Sequence, residues 1–300
     1  GQSCVSGADS AMLYDSLAEK GNEKSYSKFE GRITSLGNIA EAGAALVGGA
    51  LSTISLRTPY FGQIFIAALA LPAAITLVEP VRHIKLINKD LREIIDISRF
   101  AIFGSRELRR NILFSAFTGC ATLIMAWFAQ PYFKYHEIDI KWYGLLWAAL
   151  NITVAIGSFS AHKLESFLDQ KVSIIMIALL IPLGYLSLSF LGLTGGIIVI
   201  FIFYLVRGYA TPVLKDYINR VTGSDIRATV LSVRNFIIRI NFSLLGPFLG
   251  YVKDDYDLPT ALMYGGTIFI ILNTITGLMF LALKGDMRKK TTYISRHRPS

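Results

Sequence analysis

Apolar residues along this chain come in long unbroken runs separated by short polar segments that are mostly basic. Six such runs follow one long connector (Val81 to Arg110): roughly Asn111 to Phe133, Trp142 to Ala161, Val172 to Leu191, Gly195 to Tyr217, Ala228 to Gly250 and Thr260 to Leu283. Two precede it, Arg32 to Ser55 and Pro59 to Val78, together with a shorter apolar stub that ends at Leu17. A helix needs about 20 residues, each rising 1.5 Å, to cross a hydrocarbon core about 30 Å thick. Each full run therefore predicts a membrane-spanning helix, and the expected fold class is an all-α membrane protein with eight spans and half of a ninth. If the two sides of the connector were once equal, about three and a half spans are missing from the front.

Composition agrees with this pattern. The chain is 53% hydrophobic and 17% charged, with a mean hydropathy of +0.48, a balance that a soluble protein has too little polar surface to cover. The net charge of +9 raises nucleic acid as a partner, but the placement of the charge argues against it. When alternate loops are assigned to opposite sides of the membrane, most Lys and Arg fall on one side: Lys20 to Arg32, the connector, Lys163 and Lys171, Lys215 to Arg227, and the tail from Lys284. The other side holds Arg57, Lys134, Lys141 and Lys253, and three arginines, Arg207, Arg234 and Arg239, lie inside spans. This asymmetry places the connector and the C-terminus in the cytoplasm. Within the connector, Ile84, Ile87, Leu91, Ile94 and Ile95 recur at helical spacing with Arg82, Lys85, Lys89, Arg92 and Arg99 on other faces, which predicts an amphipathic helix at the membrane interface.

Chemistry of other kinds has little to build on. Cys4 and Cys120 sit in apolar segments and read as small fillers; His83, His136, His162 and His297 are scattered and form no metal pattern. No cofactor or metal is expected, no Walker loop suggests direct use of ATP, and no nucleophile, base and orienting group assemble into an enzyme. The chain opens at Gly1 without a charged leader before an apolar core, so no signal peptide is expected, and the missing initiator Met fits a fragment.

An internal repeat adds a second line of inference. The stub SGADSAMLYDSL, with Gly7, Leu13 and Asp15, matches RGYATPVLKDYI, with Gly208, Leu214 and Asp216, at one constant offset. In the next span of each half, Ala44, Ala45, Gly48 and Gly49 match Gly246, Pro247, Gly250 and Tyr251 at nearly the same offset. Parallel repeats joined by a long cytoplasmic connector are the plan of a two-bundle transporter. On SGADSAMLYDSL running into FEGR, WFAQPYF and LLGPFLGY, the chain resembles the major facilitator superfamily from its fourth helix onward. LLGPFLGY is similar to the Gly-Pro-x-x-Gly element of that family's antiporters, although the earlier span keeps only the glycine pair Gly48-Gly49. The resemblance implies a two-bundle fold of which about 8.5 of 12 helices are present. Residues 1–79 would then be the remainder of an N-terminal bundle, 80–110 the connector, 111–284 a C-terminal six-helix bundle and 285–300 a basic tail. Gly48, Gly49, Gly246 and Gly250 would allow close helix packing, and Pro247 a kink. Gln130-Pro131 would either end its span or line a cavity.

Charges within the spans are the candidate functional residues. With Asp15, Arg32, Asp216 and Arg227 as markers of the cytoplasmic surface, a 1.5 Å rise puts Asp9, Glu41, Arg207 and Arg239 roughly 9 to 18 Å into the membrane. A central charge costs at least about 2.5 to 3.5 kcal/mol on insertion scales and needs a partner or water. Two are acids before the connector and two are arginines after it, which predicts pairing across a central cavity. Desolvation favours the neutral form of a carboxylate, making Asp9 and Glu41 the candidate proton carriers. Asp15, Asp216, Arg32 and Arg227 are candidates for a cytoplasmic gate, the role the resemblance implies. The expected function is secondary active transport by alternating access in the cell membrane (the inner membrane of a double-membraned bacterium). Proton-coupled efflux of an amphipathic compound comes first, with organic-anion transport or a flippase-like domain as alternatives. Lipid, a small-molecule substrate and protons are the expected partners, the complete protein is expected to be monomeric, and this chain alone is expected not to transport.

Overall fold

The computed structural model describes residues 8–52, 55, 57–76 and 91–282. Ten α-helices occur among the described residues: α1 (Ala8–Glu19), α2 (Tyr26–Ser52), α3 (Thr58–Ile75), α4 (Leu91–Arg99), α5 (Arg106–Tyr135), α6 (Tyr143–Phe167), α7 (Gln170–Phe190), α8 (Leu193–Arg220), α9 (Arg227–Asp255) and α10 (Leu258–Ala282). Six of them, α5 to α10, are long and apolar enough to cross a membrane, so the protein is an α-helical, multi-pass membrane protein. The expected eight spans thus reduce to six among the described residues. Although α2 has 27 residues, Asn38 and Glu41 together with its glycines dilute its apolar content. In α3 only Thr58–Leu69 is counted as an apolar helix, of less than spanning length. Cys4, Gly7, the connector residues Arg82, Ile84, Lys85, Ile87 and Lys89, and the tail from Lys284 lie outside the described residues.

Local chemistry sets the helix ends. Ser105 accepts a hydrogen bond from Leu108 N at 3.3 Å and caps α5, satisfying one of the unpaired amides of a helix start. At the other end, α5 runs through Pro131 to Tyr135, so Gln130-Pro131 does not terminate it; the ring removes one backbone donor and the surrounding turns carry on. The stop comes at Glu137, whose φ is 55°. There Ile138 N donates to Phe133 O at 3.0 Å and Glu137 N to Lys134 O at 3.0 Å, a Schellman motif with a glutamate in the left-handed position. The end of α1 repeats the motif with the residue that suits it: Gly21 has φ 64°, Gly21 N donates to Ala18 O at 2.9 Å and Asn22 N to Leu17 O at 2.8 Å.

Backbone contact at glycine joins the first helices to the rest. Helix α2 packs along α6, and α6 along α8. A Cβ on Gly31 would collide with the carbonyl of Ser158, one on Gly157 with that of Leu205, and one on Gly208 with that of Val154. In lipid, where apolar burial does not drive helices together, such small residues allow the close approach that dispersion needs. Ser158 Oγ adds an interhelical hydrogen bond to Gly208 O at 2.9 Å. Elsewhere α10 packs on α7 and α5, and α9 on α5. Between them is a core that includes Phe133, Tyr185, Phe203 and Phe269, in which the Tyr185 hydroxyl donates to Ala121 O.

Of the expected amphipathic connector helix, the described part is α4 followed by a π-helical turn, Phe100–Gly104. Ile97 and Ala101 are buried against Leu108 and Ile112 of α5, Ile218 of α8, and Val230 and Leu231 of α9, whereas Ile95 is exposed. This end of the connector is therefore docked onto the helix ends that carry the charged residues described next.

Candidate functional site

Charged side chains gather at two levels of α8 and α9. At the level nearer the α8–α9 loop, α1 and α2 meet α8 and α9 in a polar seam. Arg227 Nη1 donates to Asp15 Oδ1, Nη2 donates to Thr222 O at 2.8 Å, and the guanidinium lies 4.0 Å from the centroid of the Tyr14 ring. Both charged side chains are only 6% exposed. Beside this pair, Lys215 Nζ donates to Glu30 Oε1 at 2.6 Å and to Ser10 Oγ at 3.0 Å. The Tyr26 hydroxyl donates to the other carboxylate oxygen of Glu30 at 3.1 Å. A third group stays among later helices: Arg220 bridges Asp216 on its own helix to Glu165 of α6. Two charges desolvated together are tolerated because each has an opposite partner and further hydrogen bonds.

At the second level, a cavity of about 490 Å³ opens between α5, α8 and α9. Its charged lining is Arg207 of α8 with Arg234 and Arg239 of α9, and among the described residues no acidic one lines it. Arg234 is 7% exposed and held by neutral partners, its Nε donating to Ser115 Oγ at 2.6 Å and its Nη1 to Asn235 Oδ1 at 2.8 Å. Arg207 lies 5.4 Å from the centroid of the Tyr204 ring, an arrangement that leaves its charge uncancelled. Thr122 and Thr211 donate to carbonyls of their own helices, Gly119 O at 3.0 Å and Arg207 O at 2.9 Å. The free donors of the cavity are thus chiefly guanidinium N–H groups.

Some of the sequence candidates fall at these two levels and others do not. Arg207 and Arg239 meet in the cavity. Asp15 and Arg227 meet in the seam, while Asp216 pairs with Arg220 and Arg32 is exposed, 5.9 Å from the ring centroid of Phe29. Asp9 is exposed in the first turn of α1 and accepts from Ser10 N at 2.7 Å. Glu41 is exposed on α2 and, with Arg207, lies within electrostatic reach of the Tyr204 hydroxyl. Among the described residues no ion pair joins Asp9 or Glu41 to Arg207 or Arg239. Gln130 is exposed on α5. Around Gly48, Gly49 and Gly250 a Cβ would meet open space, and at Gly246 only Phe242 of the same helix; the helix α9 is continuous through Pro247.

Residues outside that selection complete both levels: Glu30, Lys215, Tyr26 and Ser10 in the seam, Arg234 in the cavity. A signal existed for three of them. Glu30 precedes Gly31-Arg32 in FEGR, Lys215 precedes the repeat's Asp216, and Arg234 is one of three arginines inside the spans. Among the described residues no group of three or more His, Cys, Asp or Glu is placed to hold a metal ion. No family model and no curated protein matches the chain.

Proposed function

We propose that this chain is part of a secondary active transporter of the major facilitator type, moving a small solute across the cell membrane by alternating access between two helical bundles. One observation carries the reading: the Asp15–Arg227 and Glu30–Lys215 pairs tie the first two helices to α8 and α9 at one level, while a charge-lined cavity opens farther along the same two helices. Lys215 and Arg207 stand eight residues apart on α8 and Arg227 and Arg234 seven apart on α9, about 10 to 12 Å of helix, so the seam and the centre of the cavity occupy different depths. In this proposal the seam is the closed cytoplasmic gate and the cavity the solute site, with the C-terminus cytoplasmic. Proton coupling through Asp9 and Glu41 remains part of the reading, and the protein works without direct use of ATP.

Accessibility tests the proposal directly. In full-length protein lacking Cys4 and Cys120, a single cysteine at Thr211 in the cavity is reacted with a membrane-impermeant thiol reagent from either side. Asp15→Asn combined with Glu30→Gln is expected to raise labelling from the cytoplasmic side and lower it from the opposite side. If opening one side leaves the other side's labelling unchanged, the two sides do not alternate and the reading fails. Proton coupling has its own test: Glu41→Gln or Asp9→Asn should abolish or strongly reduce pH-driven accumulation and leave counterflow partly intact, and normal proton-driven activity in both variants would remove these carboxylates from the mechanism.

A further inference from the structure

We infer that the cavity between α5, α8 and α9 binds a small organic anion with two negative charges, a dicarboxylate or a phosphate monoester, anchored by Arg234 and embraced by Arg207 and Arg239. The inference rests on the transport reading only in treating the occupant as the transported solute; the site itself is a matter of binding.

Charge is the first argument. Three guanidiniums line about 490 Å³ with no acidic residue among the described lining; Glu30, which acts on Arg234 from a distance, is already paired with Lys215, and charges of one sign in a low-dielectric setting need a counter-charge. An amphipathic cation would add to the repulsion, and a monoanion would leave two positive charges uncompensated. A dianion leaves one, within a volume typical of small-molecule sites, about 300 to 1,000 Å³.

Geometry is the second. Ser115 and Asn235 occupy two of the three nitrogens of Arg234, fixing the plane of the guanidinium without cancelling its charge. The remaining Nη2 donates in none of the hydrogen bonds seen among the described residues and lies beside Gly119, 3.6 Å from where a Cβ there would sit. A planar fork held in advance suits carboxylate or phosphoryl oxygens and costs little entropy on binding. Arg207, half-buried beside Tyr204, and Arg239, exposed at the cavity edge, are free to close on a second anionic group.

Binding to the full-length protein in detergent decides the matter, with calorimetry and thermal unfolding as readouts and succinate, phenyl phosphate, benzoate and tetraphenylphosphonium as probes. At least one of the two dianions should bind about tenfold or more tightly than benzoate, and the cation should not bind. Arg207→Gln and Arg239→Gln should each weaken the dianion about tenfold, the cost of a charged hydrogen bond, with the unliganded unfolding temperature close to that of the parent. Which dianion binds more tightly assigns the headgroup. Binding of neither dianion, equal binding of benzoate, or unchanged binding in both arginine variants would overturn the inference. Dianion binding without gradient-driven accumulation in liposomes would keep the site and remove the transport reading; accumulation of another solute without dianion binding would do the reverse.

Discussion

Arg227 on α9 reaches Asp15 on α1 across 212 residues of sequence, and the two side chains bury each other to 6% exposure. Tyr14, on the same turn as Asp15, covers the outer face of the guanidinium, and Thr222 O takes a second N–H. The contact is therefore a fastened junction between the first helix, which supplies Asp15 and Tyr14, and the hairpin of α8 and α9, which supplies Arg227 and Thr222. Its position at the loop end of that hairpin makes it a lever on the cavity that the same two helices line.

Removing one member of this pair leaves the other charge buried. Asp15→Asn or Arg227→Gln should destabilise the assembly by about 3 kcal/mol, the low end for breaking a buried ion pair. The reversal Asp15→Arg with Arg227→Asp should recover part of that loss. Thermal unfolding of the parent, Asp15→Asn, Arg227→Gln and the combination of those two substitutions forms a double-mutant cycle that measures the coupling; a coupling within about 0.5 kcal/mol of zero would mean that Tyr14 and Thr222 alone hold Arg227.

The six long helices and their order were legible because length and apolarity alone decide whether a segment spans a membrane. Arg207 and Arg239 were legible as functional candidates because charge inside such a segment is expensive. What the pattern does not carry is the rotation of each helix. Glu30 and Lys215 stand close to Arg32 and Asp216 in sequence, and only the angle around α2 and α8 decides which of each adjacent set faces the seam. The glycines show the same limit: Gly48, Gly49 and Gly250 attracted attention by repeat position, yet Gly31, Gly157 and Gly208 are the ones pressed against a neighbouring backbone.

Lys215 has two acceptors on two helices, Glu30 and Ser10, while the Tyr26 hydroxyl donates to Glu30. The two substitutions should therefore differ in kind. Tyr26→Phe removes one hydrogen bond and should cost about 1 kcal/mol, while Lys215→Met strands the Glu30 carboxylate at 5% exposure and should cost about 3 kcal/mol. Lys215→Met combined with Glu30→Gln should recover much of the larger loss. Equal unfolding temperatures for the two single variants would show that the Glu30–Lys215 pair contributes no more than a neutral contact.

Asp257 caps the start of α10, accepting from Thr260 N at 2.7 Å. Hydrogen bonds from the side chain and backbone of Thr260 hold its carboxyl below the ordinary carboxylate range. A group with a lowered folded-state pKa stabilises the fold at pH values above its unfolded pKa and loses that contribution as pH falls through the folded value. Asp257→Ala should lower the unfolding temperature at neutral pH, and the gap from the parent should close as the pH drops below the usual carboxylate range. A gap of constant size across that acid window would assign the effect to lost packing or propensity in place of the charge.

Gly208 lies next to Arg207 in sequence and against the backbone of Val154 in space, with Ser158 Oγ bonded to its carbonyl. A methyl group there meets carbonyl, Cα and C atoms of α6, none of which can rotate aside, so α6 and α8 must separate. Overpacking of this sort costs about 1 to 3 kcal/mol, and separation shifts Arg207 relative to Arg234 and Arg239. Gly208→Ala should consequently lower both the unfolding temperature and the affinity for the dianion. Gly48→Ala, whose Cβ meets nothing within 4 Å, should leave the affinity unchanged and not lower the unfolding temperature, and serves as the control for helix propensity, while Ser158→Ala should cost about 0.6 kcal/mol, an average interhelical hydrogen bond in a membrane protein. If Gly208→Ala unfolds at the parent's temperature and binds succinate and phenyl phosphate as the parent does, the close contact between α6 and α8 does not set the position of Arg207.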